Sequence, residues 1–242
     1  MSESPRIWRR GVAEFLAIFL GVTLSFVADD WREDLRDRQE AERVLAGIAA
    51  DLEYDLVSLR GKIRLDGASL GVERWLLENW EREDLPSDSI EAAWIQVLNV
   101  SSYSPIRSEY ESASSAGRLQ LIENAALRET IVRHYETWQS HQQVQNRNQL
   151  EFVFELWRQS RAHFRFEGFD DPSQWVPELG EMREAFLPVE LIGDWSATRR
   201  DAVLHGSLAE SMLVRRMHHY QLRAFARDTE SLRAEILSEI EG

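Results

Sequence analysis

Residues 11–28 read GVAEFLAIFLGVTLSFVA, apolar apart from Glu14, Thr23 and Ser25. At the rise of an α-helix this run covers about 27 Å, close to the thickness of a bilayer core. Trp8 and Trp31 bracket it at about 34 Å by the same rise, matching the two interfaces where indoles prefer to sit. A core helix of a globular protein has no need of such brackets. A signal peptidase cutting after Ala28 would meet bulky Phe26 where a small residue is required. The pattern therefore predicts an uncleaved transmembrane helix over 11–28, with residues 1–10 as a tail.

Beyond the span the apolar spacing changes from continuous to helical. Trp31, Leu35, Leu45, Leu52, Leu56, Leu59 and Ile63, with Ile48 and Ala49 in the same seam, predict an amphipathic stalk helix over 29–66. Gly61, Gly67 and Gly71 predict a turn, then a second helix through Trp75, Leu76 and Trp80. Leu85-Pro86-Ser87 ends it, with Ser87 as N-cap of a helix through Ile90, Trp94 and Leu98. A short helix over 107–116 is stopped by Gly117, and Asn124 caps the next, which carries Leu127, Ile131, Tyr135 and Trp138. His141, Gln145 and Asn148 then put polar residues where that seam continues towards Phe152 and Leu156. They read as a solvated section or as a layer that specifies a partner.

Residues 168–195 are rich in Gly, Pro, Asp and Trp and predict an irregular connection with a short helix over 182–186. A last helix follows through Leu208, Met212, His219, Leu222, Phe225, Leu232, Ile236 and Ile240. Its length matches that of the first stalk helix, so 29–66 and 207–242 are expected to pair antiparallel around a helical head over 67–206. With both helices ending at the membrane surface, Leu52 faces His219 and Leu45 faces Ala226. Burial among Leu52, Leu56 and Leu222 then depresses the pKa of His219 unless Asp55 or Glu53 counters it. No segment sustains period-2 alternation, so no sheet is expected. The fold class is all-α: one N-terminal transmembrane helix continuing into an antiparallel helical stalk with a helical-bundle head.

Charge narrows the partners. Against 42 Asp and Glu stand 28 Lys and Arg, a formal charge of −14, so a polyanion is repelled and nucleic acid is not an expected partner. The chain has no cysteine, which excludes thiolate catalysis, disulfides and Cys-based zinc sites. Lys62 is its single lysine. Arg6, Arg9 and Arg10 precede the span and Arg32, Arg36 and Arg38 follow it. A short cationic tail is hard to translocate whereas a large domain crosses largely regardless of charge, so residues 1–10 are placed in the cytoplasm.

Within the span, Ala13, Ala17, Gly21 and Ser25 recur every fourth residue and form a small-residue stripe along which a second backbone can approach. Glu14 beside it needs a partner; Arg10, one turn away, is the simplest, and a proton- or ion-linked role is the alternative. Gly67-Ala68-Ser69-Leu70-Gly71 matches the G-x-S-x-G pattern, but a nucleophile elbow needs a preceding strand. His218 and His219 diverge by about 100° on a helix, and His134 and His141 lie two turns apart, so neither pair makes a metal site. Trp75, Trp80, Trp94, Trp138 and Trp157 sit in helical seams and read as core, whereas Trp175 and Trp195 flank the irregular segment and read as an exposed recognition surface. No cofactor is expected.

Two segments carry a resemblance. Ala13-Glu14 through Gly21 to Asp30-Trp31-Arg32-Glu33 resembles the N-terminal anchor of a bacterial domain-of-unknown-function family of single-pass membrane proteins, which reads roughly Gly-Glu, apolar residues, Gly, apolar residues, Asn-Asn-Trp. Tyr110, Ser114, Ser115, Gly117, Leu121 and Ile122 are similar to that family's internal Tyr, Ser-Ser, Gly, Leu, Ile signature. Here Ala13 stands for the Gly before Glu14, and Asp29-Asp30 for the Asn pair. The resemblance implies anchoring in a bacterial inner membrane, with the main domain periplasmic or extracellular, and supplies no catalytic residues. The expected function is a membrane-anchored, homo-oligomeric interaction or sensor protein whose partners are the bilayer, a second copy and an envelope protein. The alternatives are an envelope enzyme using Ser69 and a small subunit of a proton- or ion-coupled complex using Glu14.

Overall fold

The computed structural model describes the backbone of residues 4–99, 103–166 and 189–241, with the side chains in those stretches except at 4–18, 139–146 and 149. The element order is α1 (Ser4–Glu78), α2 (Ser87–Leu98), α3 (Ser108–Ser115), a 3-10 turn (Arg118–Leu121), α4 (Ala125–Ser160), β1 (Phe164–Phe166), β2 (Val189–Leu191), α5 (Trp195–Thr198) and α6 (Ala202–Glu241). The described residues are predominantly helical, as the all-α class requires, but they include a small sheet. β1 and β2 pair antiparallel, Phe164 opposite Leu191 and Phe166 opposite Val189, in strands too short for their alternation to stand out from the sequence. The chain divides into two units, residues 1–51, 107–131 and 234–242 in one and 52–106 and 132–233 in the other.

In the first unit α1 is exposed on every face from residue 19 to 39. From there its buried face is Ala41, Val44, Leu45, Ile48 and Ala49, and α3, the 3-10 turn and the start of α4 contribute Tyr110, Ala113, Leu119, Ile122, Leu127 and Ile131. Asp51 of α1 caps α3, accepting from Ser108 Oγ at 3.0 Å and from the Glu109 amide at 3.0 Å. Gly117, at φ 70°, takes the left-handed conformation that ends α3 as its sequence predicts. Asn124 caps α4 as expected, its Oδ1 accepting from the Leu127 amide at 3.1 Å.

Among its described residues the second unit holds a larger and a smaller apolar cluster. In the larger, Trp94 stacks on Phe164 at 4.6 Å and donates from Nε1 to Ser160, while Trp80 meets Trp195 edge-on at 4.9 Å. Leu76, Ile90, Val97, Leu156, Leu204 and Leu208 are buried in the same cluster. In the smaller, Leu59, Tyr103, Leu222 and Phe225 pack with Ile63, Trp138 and Ala226.

Several expectations change here. α1 does not turn at Gly61, Gly67 or Gly71 but runs through all of them to Glu78. Ser87 is the first residue of α2 rather than its cap, and Pro86 precedes it without a capping side chain. The antiparallel pairing of α1 with α6 is present, in a different register. Glu53 pairs with Arg233 at 2.8 Å and Asp66 with His218 at 2.9 Å. Leu52 therefore does not face His219, and Ala226 lies with Leu59 rather than with Leu45. The slip is about four helical turns. It follows from assuming that both helices reach one surface, whereas residues 19–39 of α1 stay exposed. The expected short helix over 182–186 lies outside the described residues, as do the side chains of His141 and Gln145.

Candidate functional site

In the second unit the seam of α1 advances by three and four residues through Leu59, Lys62, Asp66, Ser69, Glu73 and Leu76. That of α6 does the same through Leu208, Ser211, Arg215, His218 and Leu222. All of these are buried, and their periodicity is that of two helices packed along an apolar seam, interrupted by charge. Ionisable groups placed there lose their hydration and persist only where each finds a partner.

The partners come in two layers. In one, Asp66 accepts from Lys62 Nζ at 2.9 Å and from His218 Nδ1 at 2.9 Å, one carboxylate oxygen to each. Burial pushes the Asp66 carboxyl up, but the His218 hydrogen bond and the Lys62 charge outweigh it and hold the group below its usual range. Burial lowers the Lys62 ammonium despite Asp66. In the other layer Glu73 Oε1 accepts from Arg215 Nε at 3.0 Å and from Ser211 Oγ at 3.2 Å. The remaining guanidinium nitrogens donate to the carbonyls of Val97 at 2.6 Å and Asn99 at 3.1 Å, at the C-terminal end of α2. Arg215 thus ties α6 to α1 and caps α2, where a cation also meets the negative end of the helix dipole. Burial dominates at Glu73 and raises its pKa in spite of Arg215, and its Oε2 has no hydrogen-bond partner among the described residues.

Beside these layers α1 and α2 form a half-open pocket of about 360 Å³ whose lining includes Leu65, Asp66, Ser69, Ile95, Gln96 and Asn99. Ser69 opens into it, but its hydroxyl donates to the Gln96 carbonyl at 3.3 Å. It also sits mid-helix, without the strand-to-helix turn that exposes a nucleophile. Among the described residues no three His, Asp or Glu side chains gather to hold a metal ion.

A second titratable group lies in the smaller cluster. His134 stacks on Phe225 at 4.8 Å and meets Tyr135 edge-on, and burial lowers its pKa from 6.5 to about 4. Burial also pushes the Tyr103 phenol up, helped by Asp55. His219 lies one position off the seam beside Gly67 rather than among leucines, and burial lowers its pKa, with Asp66 as the countering carboxylate in place of Asp55 or Glu53.

The residues singled out in the sequence are scattered. Trp195 is a correction: at 3% exposure it is core, packed edge-on against Trp80, and presents no recognition surface. Its counterpart Trp175 lies outside the described residues, as do the side chains of Trp8, Ala13, Glu14 and Ala17. Trp31 is 64% exposed. Ser25 donates to the Gly21 carbonyl at 2.9 Å and Thr23 to that of Phe19 at 2.8 Å, so both hydroxyls are satisfied within α1. Tyr110 and Ile122 are buried, Leu121 is half-buried, and Ser114 and Ser115 are exposed. The charged seam escapes a reading by composition because each of its residues looks like part of a solvated face. Its signal is the unbroken three-and-four spacing on either side.

Among the described residues no helix is long and apolar enough to cross a membrane; the side chains of residues 11–18 lie outside them. Comparison of the chain with protein families, curated proteins and solved structures gives no match in any of the three.

Proposed function

We propose that this chain is a membrane-anchored interaction or sensor protein of the bacterial envelope, held by residues 11–28 and associating with a second copy through Ala13, Ala17, Gly21 and Ser25. The observation that carries the reading is the state of α1 where its side chains are first described. Phe19, Leu20, Val22, Leu24, Phe26 and Val27 are each at least 50% exposed, on all sides of the helix. A helix apolar all round is stable where apolar matter surrounds it. A bilayer supplies that on every face, and the self-bonded hydroxyls of Thr23 and Ser25 suit it. Trp31 at the end of the run stands where an interface would hold it.

In this reading residues 1–10 are cytoplasmic and the chain from residue 29 onwards lies outside the inner membrane, free to meet an envelope protein. A reporter enzyme that works only outside the cytoplasm, fused after Gly242 of the full chain, is expected to be active. Activity confined to a cytoplasm-specific reporter at the same position would reverse the orientation.

A further inference from the structure

Gly61, Gly67 and Gly71, which predict a turn in the sequence, lie instead inside the continuous helix α1. Glycine in a helix interior favours the open chain about two- to fivefold over alanine at each position, because it loses the most backbone entropy on ordering. The same stretch is poor in packing. Between Leu59 and Leu76 the fully buried residues of α1 are Lys62, Asp66, Ser69 and Glu73, all polar, with Ile63 and Val72 partly buried against the flanking clusters, so the hydrophobic gain that holds most helices in place is smaller here than in the packed segments on either side. The half-open pocket of about 360 Å³ lies against this stretch as well, so solvent rather than packed side chains borders part of it. Low helix propensity, a charged seam and a solvent-open pocket coincide in one short segment.

We propose that residues 61–73 of α1 are a built-in hinge, a segment that opens by local unfolding while Leu52, Leu56 and Leu59 before it and Leu76 and Trp80 after it stay packed. Opening brings Lys62 and Asp66 into water and separates Asp66 from His218 and Glu73 from Arg215, so charged groups gain hydration as contacts break. That exchange keeps the opening free energy low, the property expected of elements that move in response to a partner. The inference uses residues of the second unit alone and does not rest on the anchoring reading.

The test is amide hydrogen exchange by mass spectrometry on the full chain in detergent micelles. Wild-type amides in 61–73 are expected to exchange at least about tenfold faster than those in 52–59 and in 222–232. A side chain built at Gly61 or Gly71 meets nothing within 4 Å, so a double variant, Gly61→Ala with Gly71→Ala, fits without strain. It is expected to slow exchange in 61–73 by about tenfold and leave the flanking segments unchanged. Uniform protection along α1 in the wild type would overturn the hinge. So would a double variant whose exchange in 61–73 is unaltered, or is slowed equally everywhere, which marks global stabilisation.

Discussion

Arg215→Met and Glu73→Leu are each expected to destabilise the protein by about 3–5 kcal/mol, because each leaves the other's charge buried without its partner. Both side chains are almost wholly enclosed, at 2% and 0% exposure, so solvent screens little of the loss. The double variant should cost clearly less than the two singles together, with a coupling of about 2 kcal/mol, since it removes both charges and leaves the Val97 and Asn99 carbonyls as the residual deficit. The singles differ in pH dependence. A stranded Glu73 can take a proton and become neutral, whereas a stranded Arg215 cannot. In Arg215→Met the folded-state pKa of Glu73 is raised above its unfolded value. Its stability is fully present below the unfolded pKa and lost as pH rises through the folded one. That variant should therefore recover part of its deficit, relative to wild type, between pH 7 and 5, and Glu73→Leu should not. Urea unfolding at the two pH values measures both. Additive costs, or the same pH response in both singles, would show that the pair is not the buried tie described above.

His134 carries the second large effect, of opposite sign. Its pKa falls from 6.5 in the open chain to about 4 in the fold, so between those values the unfolded state binds a proton that the folded state refuses. Stability present above pH 6.5 is then lost as pH falls towards 4, by about 3 kcal/mol for this group. His134→Phe keeps an aromatic ring against Phe225 and cannot titrate. Chemical unfolding of wild type and variant should give similar stabilities at pH 7 and curves that separate by about 3 kcal/mol at pH 4, the variant being the more stable. Parallel curves would mean that the ring is hydrated in the fold.

The helical spacing of apolar residues makes much of this architecture legible in the sequence. The caps at Asn124 and Gly117, the antiparallel sense of α1 and α6, and the core tryptophans at 80 and 94 all follow from local chemistry and periodicity. Other features need knowledge of distant neighbours. Whether Glu73 lies in solvent or in a seam depends on Arg215, more than a hundred residues away. Without that partner the solvated reading is the physically sound one. Gly61, Gly67 and Gly71 signal a turn by propensity, yet buried contacts of the seam override them. His218 and His219 differ by a single step of helix rotation, which a register set from helix lengths alone does not resolve. Trp195 flanks an irregular segment and still reaches the core, because α5 places it edge-on against Trp80.

The anchoring of residues 11–28 is the claim on which the functional reading turns, and alkaline extraction of membranes from cells making the full chain tests it most directly. A spanning helix resists high pH and carbonate, which strip proteins held by surface charge alone. The full chain is expected to stay in the membrane pellet and to leave it only with detergent, while a chain starting at residue 29 is expected in the supernatant. Release of the full chain by carbonate, or retention of the shortened chain in the pellet, would contradict the anchor.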